Sequence, residues 1–549
     1  MNKLEASKTS KRLWLLGVVV LGLVLKLAIL VANVVPFNSD ESIVALMASH
    51  ILQGERPIFF YGQAYMGSLD AWLVALGFSI FGEGVWVIRL VQSLLYAGTI
   101  LTTVLIGHRI YPDKRVGYFA GLLLAIPTIN VTLYTTATLG GYGEALLIGN
   151  FLILTGLEIG EKIKTSQRPA WHQWLVFGFL SGLGLWSLSL SLVFAFPVVI
   201  YLLVLTLRFQ ISMPGRAWQS RLAPIGLLFC GGLIGSSPWW IFAVEHGFDQ
   251  LIHELSGSAI SGVEGLSVFA QWGQHLLNFL IFGSSVIMGL RPPWSITWLG
   301  LPLAPFALAI WLAVFVWITK STRRNDELKP ERNLLLGVML TLTAVFILSP
   351  FGADPSGRYF LPFAIPLVLF ASELTLWLRV RVGNIALGLI AVLLVFNLWG
   401  VIESVQRDPP GITTQFDEVS QVDQEAMTEL IDFLIREGET RGYTNYWVSY
   451  PLAYLSDERI IYVPWLPYHR DFRYTPRDDR YPPYDRIVDS SSRVAYITTR
   501  FPELDKKIRD RFTALDITWR EAEIGDFHIF YDLSDCVEPG DIGLGPSLQ

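Results

Sequence analysis

Five charged side chains sit where long apolar runs give way to polar sequence, and their types suit a group-transfer reaction. Asp40 and Glu41 follow the first apolar run almost at once, in VVPFNSDESIVALM (34–47). Asp70 lies in AYMGSLDAWL, Glu144 follows TTATLGGYG, and Arg358 sits in ADPSGRYFLPF with Asp354 close by. A carboxylate can take the proton of an acceptor hydroxyl as that oxygen becomes a nucleophile. A second carboxylate can bind a divalent cation or orient the acceptor. The planar fork of an arginine suits a phosphate, holding it and offsetting charge on a departing group. The glycines of LGGYGE let backbone approach a ligand, and Tyr142 and Tyr359 offer faces for stacking.

Each feature also has a structural alternative. Asp40 and Glu41 suit the cap and first turn of a helix over SIVALMASHILQG. Asp70 suits an interfacial polar position, Glu144 and Arg358 can pair with one another, and Arg358 can reach toward headgroups. An ionisable group at membrane depth costs about 2.5–3.5 kcal/mol on insertion scales, so each needs a partner or a task. What joins them is position. They come from four separated segments that fall on one side of the expected topology, as a shared cleft requires.

Composition sets the frame for these residues. Of 549 residues, 52% are hydrophobic and 16% charged, the profile of a polytopic membrane protein. A net charge of −6 gives no electrostatic case for nucleic acid. Cys230 and Cys536 do not make a disulfide framework. His50, His246, His253, His275 and His469 lack metal-ligand spacing, which argues against zinc. No P-loop, GxSxG or CxxC motif is present, and LGGYGE lacks dinucleotide-binding spacing.

The elements that must position the charges are mostly spanning helices. Apolar runs predict spans near 13–35, 85–107, 116–134 and 142–159, two more within 172–207, and one near 222–243. Four others fall near 297–319, 333–350, 360–378 and 384–402, which makes about eleven. The N-terminus has a basic start and a core too long for a signal peptide, so it reads as a retained first span. With that end in the cytoplasm, the inner loops 108–115, 161–168, 208–221, 320–332 and 379–381 are short and rich in Lys or Arg, as the positive-inside rule requires. The outward segments are then 36–84, 135–141, 244–296 and 351–359. The first of these holds two amphipathic or apolar pieces, expected as helices lying in the interface. The tail, 403–549, turns charged and rich in Tyr and Pro. DQEAMTELIDFLIREG (423–438) reads as a helix, and YTNYWVSY, RIIYV, RVAYITT and DFHIFYDL read as strands.

From about residue 12 to 400 the order of these features resembles the GT-C membrane glycosyltransferases. The likeness is to the family holding protein O-mannosyltransferases, the lipid A aminoarabinose transferase and rhizobial lipopolysaccharide sugar transferases. The acidic pair of NSDES follows span 1, and GERPIFFYGQAYMGSLDAWLVALGFSIFG looks like the family's second juxtamembrane helix segment. GRYFLPFAIPLVLF is similar to the Arg-Tyr-Leu-Pro stretch that opens a late span. The resemblance implies a polyprenyl-phosphate-linked sugar donor and an inverting transfer at the outer face to a lipid, glycan or protein acceptor. Asp40 matches the catalytic base, Glu41 its neighbour, and Arg358 the donor-phosphate ligand. Tyr359, Glu144, Asp70 and Tyr65 join the substrate-binding set, and Asp40 with Asp70 is the candidate pair for a divalent cation. One departure is Gln63-Ala64-Tyr65-Met66-Gly67, where O-mannosyltransferases carry a His-Pro-Pro-like stretch; this speaks against protein Ser or Thr as acceptor.

The expected fold is therefore a polytopic α-helical GT-C domain, 1–402, with interfacial helices in its first outer loop. A small extracytoplasmic α/β domain, 403–549, follows it. The expected place is the plasma (inner) membrane, with the N-terminus cytoplasmic and membrane lipids as surroundings. The competing reading is a transporter or flippase of lipid-linked sugars. That needs polar residues through the spans or broken helices at the midplane, whereas charges within the spans are few beyond Lys26 and Arg89.

Overall fold

The computed structural model describes residues 3–211, 219–255, 267–407, 411–416 and 419–546. They form two compact units. The first takes in the N-terminal helix up to Ala32, Tyr65–Asp70 and Arg89–Ser404. The second takes in Asn33–Ala64, Ala71–Ile88 and Val405–Gln549, so most of the first loop belongs with the tail rather than with the spans.

The first unit is helical. Among the described residues seven stretches are long and apolar enough to cross a membrane: Leu13–Val31, Val85–Ile110, Tyr142–Lys164, Ser189–Arg208, Ala304–Arg323, Lys329–Leu348 and Arg358–Gln406. A bent pair makes an eighth, against about eleven expected. The difference has local causes. The run expected at 116–134 breaks into Arg115–Ala125 and Ile129–Tyr134, because Pro127 pushes Ile126 out of the helical region. The span expected near 222–243 is Gln219–Gly235 followed by Ser237–His246, bent by 61° where Pro238 opens the second piece. Trp171–Ser187 stops short at a 3-10 turn over Ser189–Ser191. The 49-residue stretch Arg358–Gln406 holds two helices, Ala364–Val382 and Gly388–Arg407. Between the expected spans, 268–287 is also helical, with π geometry over Asn278–Gly283.

Small residues set the closest packing in this unit. Gly178 and Gly182 on Trp171–Ser187 face Gly231, Gly232 and Gly235 on Gln219–Gly235. A Cβ at Gly182 would lie 2.1 Å from the Gly232 carbonyl oxygen, and one at Gly235 2.1 Å from that of Phe179. Helices in lipid gain stability from such close backbone approach, so a bulky residue here forces the pair apart. Buried Lys26 crosslinks the first helix to the segment after Pro127. Its Nζ donates to the Thr132 carbonyl (3.0 Å), Thr135 Oγ1 (2.7 Å) and Thr136 Oγ1 (2.6 Å), and lies 4.8 Å over the Tyr96 ring.

In the second unit the two helices expected in the first loop form as Ser39–Gln53 and Leu69–Phe81, the latter from Ala71 onward. Between them in sequence come the short strands β1 (Phe59–Phe60) and β2 (Gln63–Gly67), the latter counted with the first unit from Tyr65 onward. The tail builds a mixed five-stranded sheet from β3 (Arg441–Tyr443), β4 (Ile461–Val463), β5 (Ala495–Thr499), β6 (Arg520–Ile524) and β7 (Phe527–Tyr531). The strand order is β4-β3-β5-β7-β6, with β3 parallel to β4 and β5, and β7 antiparallel to β5 and β6. Helix Met427–Glu437 packs on it through Met427, Leu430 and Leu434, and Gly438 ends that helix at φ +76°.

YTNYWVSY is not a strand. Only Tyr443 completes β3. Asn445 then caps a helix, Tyr446–Leu455, by accepting the Trp447 N–H at 3.0 Å. Helix Ser39–Gln53 packs against this helix within the same unit. The Ile412 N–H bonds the Val34 carbonyl at 2.8 Å, and Phe37 meets Tyr454 at 5.5 Å between ring centroids. His50 joins in, bonded to Tyr61 Oη (2.9 Å) and Glu458 (3.2 Å).

Candidate active site

Asp40 belongs to the second unit. The cap of its helix is Asn38, whose Oδ1 accepts the Glu41 N–H at 3.0 Å; the capping role considered for Asp40 is therefore taken elsewhere. Asp40 stands in the first turn, half-buried, and accepts a hydrogen bond from Tyr446 Oη at 2.6 Å. Glu41 beside it is fully buried. The Arg480 guanidinium lies 5.5 Å over the Tyr446 ring. Arg480 also donates its main-chain N–H to Tyr450 Oη (2.6 Å), which in turn donates to the Asp478 carbonyl (3.1 Å). Burial pushes the Asp478 carboxyl up to about 6, against an opposing pull from Arg480.

The other expected residues belong to the first unit, and they form two groups. Asp70 accepts from Gln92 Nε2 at 2.8 Å and from the Thr138 hydroxyl, and it faces Glu144. Only 1% of Asp70 and 2% of Glu144 is exposed. Burial raises the Asp70 carboxyl above its usual range, partly offset by these donors. Neither Glu144 oxygen is reached by a donor. The Glu144–Arg358 pairing considered from sequence does not form.

Arg358 instead donates from Nη2 to Asp354 Oδ2 at 2.6 Å. The turn that aims it depends on Gly357, which has φ +100° and whose Cβ would strike Asn130 Oδ1 at 2.3 Å. Asn130 Nδ2 donates to the Gly357 carbonyl (3.2 Å), and Tyr134 Oη to the Ser356 carbonyl (3.2 Å). An aromatic cluster adjoins the guanidinium through Tyr359. The guanidinium Cζ is 5.0 Å over the Tyr359 ring; Phe351 lies 5.2 Å from Tyr359 and 6.3 Å from Tyr65, and Tyr134 is 6.4 Å from Tyr142. The Arg358 Nε is buried and has no hydrogen-bond partner, although 31% of the side chain is exposed. Arg358, Tyr359 and Tyr65 thus come together as expected residues. Tyr134, Asn130 and Asp354 were not assigned to this site from sequence, although the i, i+4 spacing of Asp354 and Arg358 was a readable signal. Arg291 is a further arginine that the sequence did not single out. It is buried, and its hydrogen bonds among the described residues go to the neutral oxygens of Ser285, Phe282, Pro292 and Ser295.

Of the candidate pair for a divalent cation, Asp40 falls in the second unit and Asp70 in the first. Both Asp70 oxygens accept hydrogen bonds, and among the described residues no group of three or more His, Cys, Asp or Glu side chains is placed to hold a metal.

Comparisons with known proteins find partial likenesses to several transferases. A family model described as dolichyl-phosphate-mannose-protein mannosyltransferase matches residues 68–241. The chain is 25% identical over 312 residues to an undecaprenyl phosphate-alpha-4-amino-4-deoxy-L-arabinose arabinosyl transferase 2 of Pseudomonas fluorescens, covering 55% of this chain and 46% of that protein. A second arabinosyl transferase of this kind, from Pseudomonas savastanoi pv. phaseolicola, is 24% identical over 217 residues, 37% of each chain. The chain thus spans less than half the length of these curated relatives. Among solved structures, ArnT from Cupriavidus metallidurans bound to undecaprenyl phosphate superposes with a TM-score of 0.57 at 14% identity, covering 94% of this chain and 98% of ArnT. The oligosaccharyltransferase of Archaeoglobus fulgidus, tethered to an acceptor peptide, gives 0.50 at 12% identity, covering 95% and 74%.

Proposed function

We propose that this chain, a multi-pass membrane protein with the fold of the GT-C glycosyltransferases, moves a sugar from a polyprenyl-phosphate carrier to an acceptor hydroxyl. The observation that carries the reading is Arg358: a guanidinium with an unbonded, buried Nε–H, lying over the Tyr359 ring, suits a phosphate on an apolar carrier. The likeness to a structure holding undecaprenyl phosphate supports the same donor class.

In this reading Asp40 takes the proton as the acceptor oxygen attacks the anomeric carbon. The bond from that carbon to the phosphate oxygen breaks, the carrier leaves as polyprenyl phosphate, and Arg358 offsets the charge on it. Attack from the face opposite the leaving group inverts the anomeric centre. The N-terminus lies in the cytoplasm, and the Asp40 loop and the tail lie outside, because the loops 108–115, 161–168, 208–221, 320–332 and 379–381 carry the basic charge.

The test is to reconstitute the protein in liposomes with a radiolabelled undecaprenyl-phosphate sugar and a cell-envelope extract as acceptor. Transfer of label with release of undecaprenyl phosphate is the expected result. Movement of the intact labelled carrier across the bilayer without bond cleavage would instead make the protein a transporter.

A further inference from the structure

The second unit joins the N-terminal ends of two helices from distant parts of the chain. Ser39–Gln53 begins after Asn38 and Tyr446–Leu455 begins after Asn445, each capped by its asparagine. The junction is made by consecutive residues of one helix against a single residue of the other. The Ser39 hydroxyl donates to the Tyr446 main-chain carbonyl, and Tyr446 Oη donates to Asp40 Oδ1 at 2.6 Å. Tyr446 itself is 3% exposed. Its ring is held between the Trp447 and Tyr450 rings, at 5.0 and 5.7 Å, with the Arg480 guanidinium 5.5 Å away. Little freedom is left to the phenol, so its hydroxyl sets where the Asp40 carboxylate can point.

We propose that Tyr446, supplied by the C-terminal domain, is the positioning residue of the base Asp40. The inference rests on the assignment of Asp40 as base. A carboxylate in a first helical turn has several rotamers open to it, and one short hydrogen bond to a fixed phenol selects among them. Only Oδ1 is engaged among the described residues, which leaves Oδ2 to accept the proton of the acceptor hydroxyl. Burial and the neighbouring carboxylate hold the Tyr446 phenol well above its ordinary range, so it stays a donor throughout the working pH range. The C-terminal domain then completes the catalytic machinery, whatever else it recognises.

Tyr446→Phe removes one oxygen and keeps the ring. In the liposome assay, with folded protein quantified by gel filtration, kcat falls roughly tenfold or more while the KM for the donor is unchanged. In an Asp40→Glu background, where the carboxylate is displaced by one methylene, Tyr446→Phe costs much less than in the wild type. Unchanged kcat per folded molecule, with only the yield reduced, would show a packing role and overturn the proposal. Equal losses in the two backgrounds would overturn it as well. If Asp40→Asn abolishes transfer and Tyr446→Phe does not impair it, the base assignment stands and this inference fails. If Asp40→Asn transfers sugar normally, the base assignment has failed first.

Discussion

Asp40 and Asp70 come from one loop of sequence, yet they occupy opposite kinds of environment. Asp40 is half-buried and accepts one hydrogen bond, from Tyr446. Asp70 is 1% exposed, has both oxygens occupied by Gln92 and Thr138, and faces a second buried carboxyl in Glu144. A carboxylate with all its capacity used inside the packing holds structure together. One with an oxygen to spare at a surface can exchange a proton with a substrate. The same contrast separates Arg358, exposed in part and with an unbonded Nε–H, from Arg291, buried and bonded to neutral oxygens. Charge near the end of a span is therefore a weak guide to chemistry until its hydrogen bonds are counted.

The contrast can be broken by substitution. Arg358→Ala is expected to lower transfer about a hundredfold and raise the donor KM, with Arg358→Lys between it and wild type, because a lysine lacks the fork. Steady-state rates at varied donor concentration would show it; unchanged donor KM in both variants would remove Arg358 from the phosphate role. Asp70→Leu leaves the Gln92 amide N–H and the Thr138 O–H without their acceptor inside the packing, which costs about 1–3 kcal/mol. It should lower the melting midpoint and the yield, with kcat per folded molecule held near wild type. Loss of kcat in well-folded Asp70→Leu protein would place Asp70 with Asp40 instead. Glu144→Gln is milder still. It replaces one of two facing carboxyls with an amide able to donate to Asp70, and so should raise the melting midpoint without changing the rate.

The smallest effect depends on pH. The Asp478 carboxyl is raised from 3.8 to about 6 by burial, so its ionisation opposes folding. Its favourable contribution is complete below about pH 4 and is lost as pH rises through about 6. Asp478→Asn should therefore gain stability relative to wild type at about pH 7.5 and show no gain at about pH 4, read from melting midpoints at the two values. A gain of equal size at both would mean that Asp478 does not titrate in this window.

Much of the helical framework was legible in the sequence, because spans are long apolar runs bounded by charge. The break at Pro127 and the bend before Pro238 carry a local proline signal that apolarity alone passes over. YTNYWVSY misled for a different reason. Tyr446, Trp447, Val448 and Tyr450 are all buried, so the helix has no polar face and shows no helical period. The acidic pair after span 1 and the late Arg-Tyr were readable as candidates, and so were the tyrosines Tyr65 and Tyr359. What could not be read were partners far apart in the chain. The bond from Tyr446 to Asp40 and that from Thr138 to Asp70 depend on the completed fold.

The central claim is that Asp40 is the base in sugar transfer from a polyprenyl-phosphate carrier. The most direct measurement is single-turnover transfer by Asp40→Asn protein in liposomes, with donor binding and melting midpoint measured on the same sample. The account predicts a loss of more than about a hundredfold in the transfer step, with donor affinity and stability close to wild type. Normal turnover by that variant would contradict it.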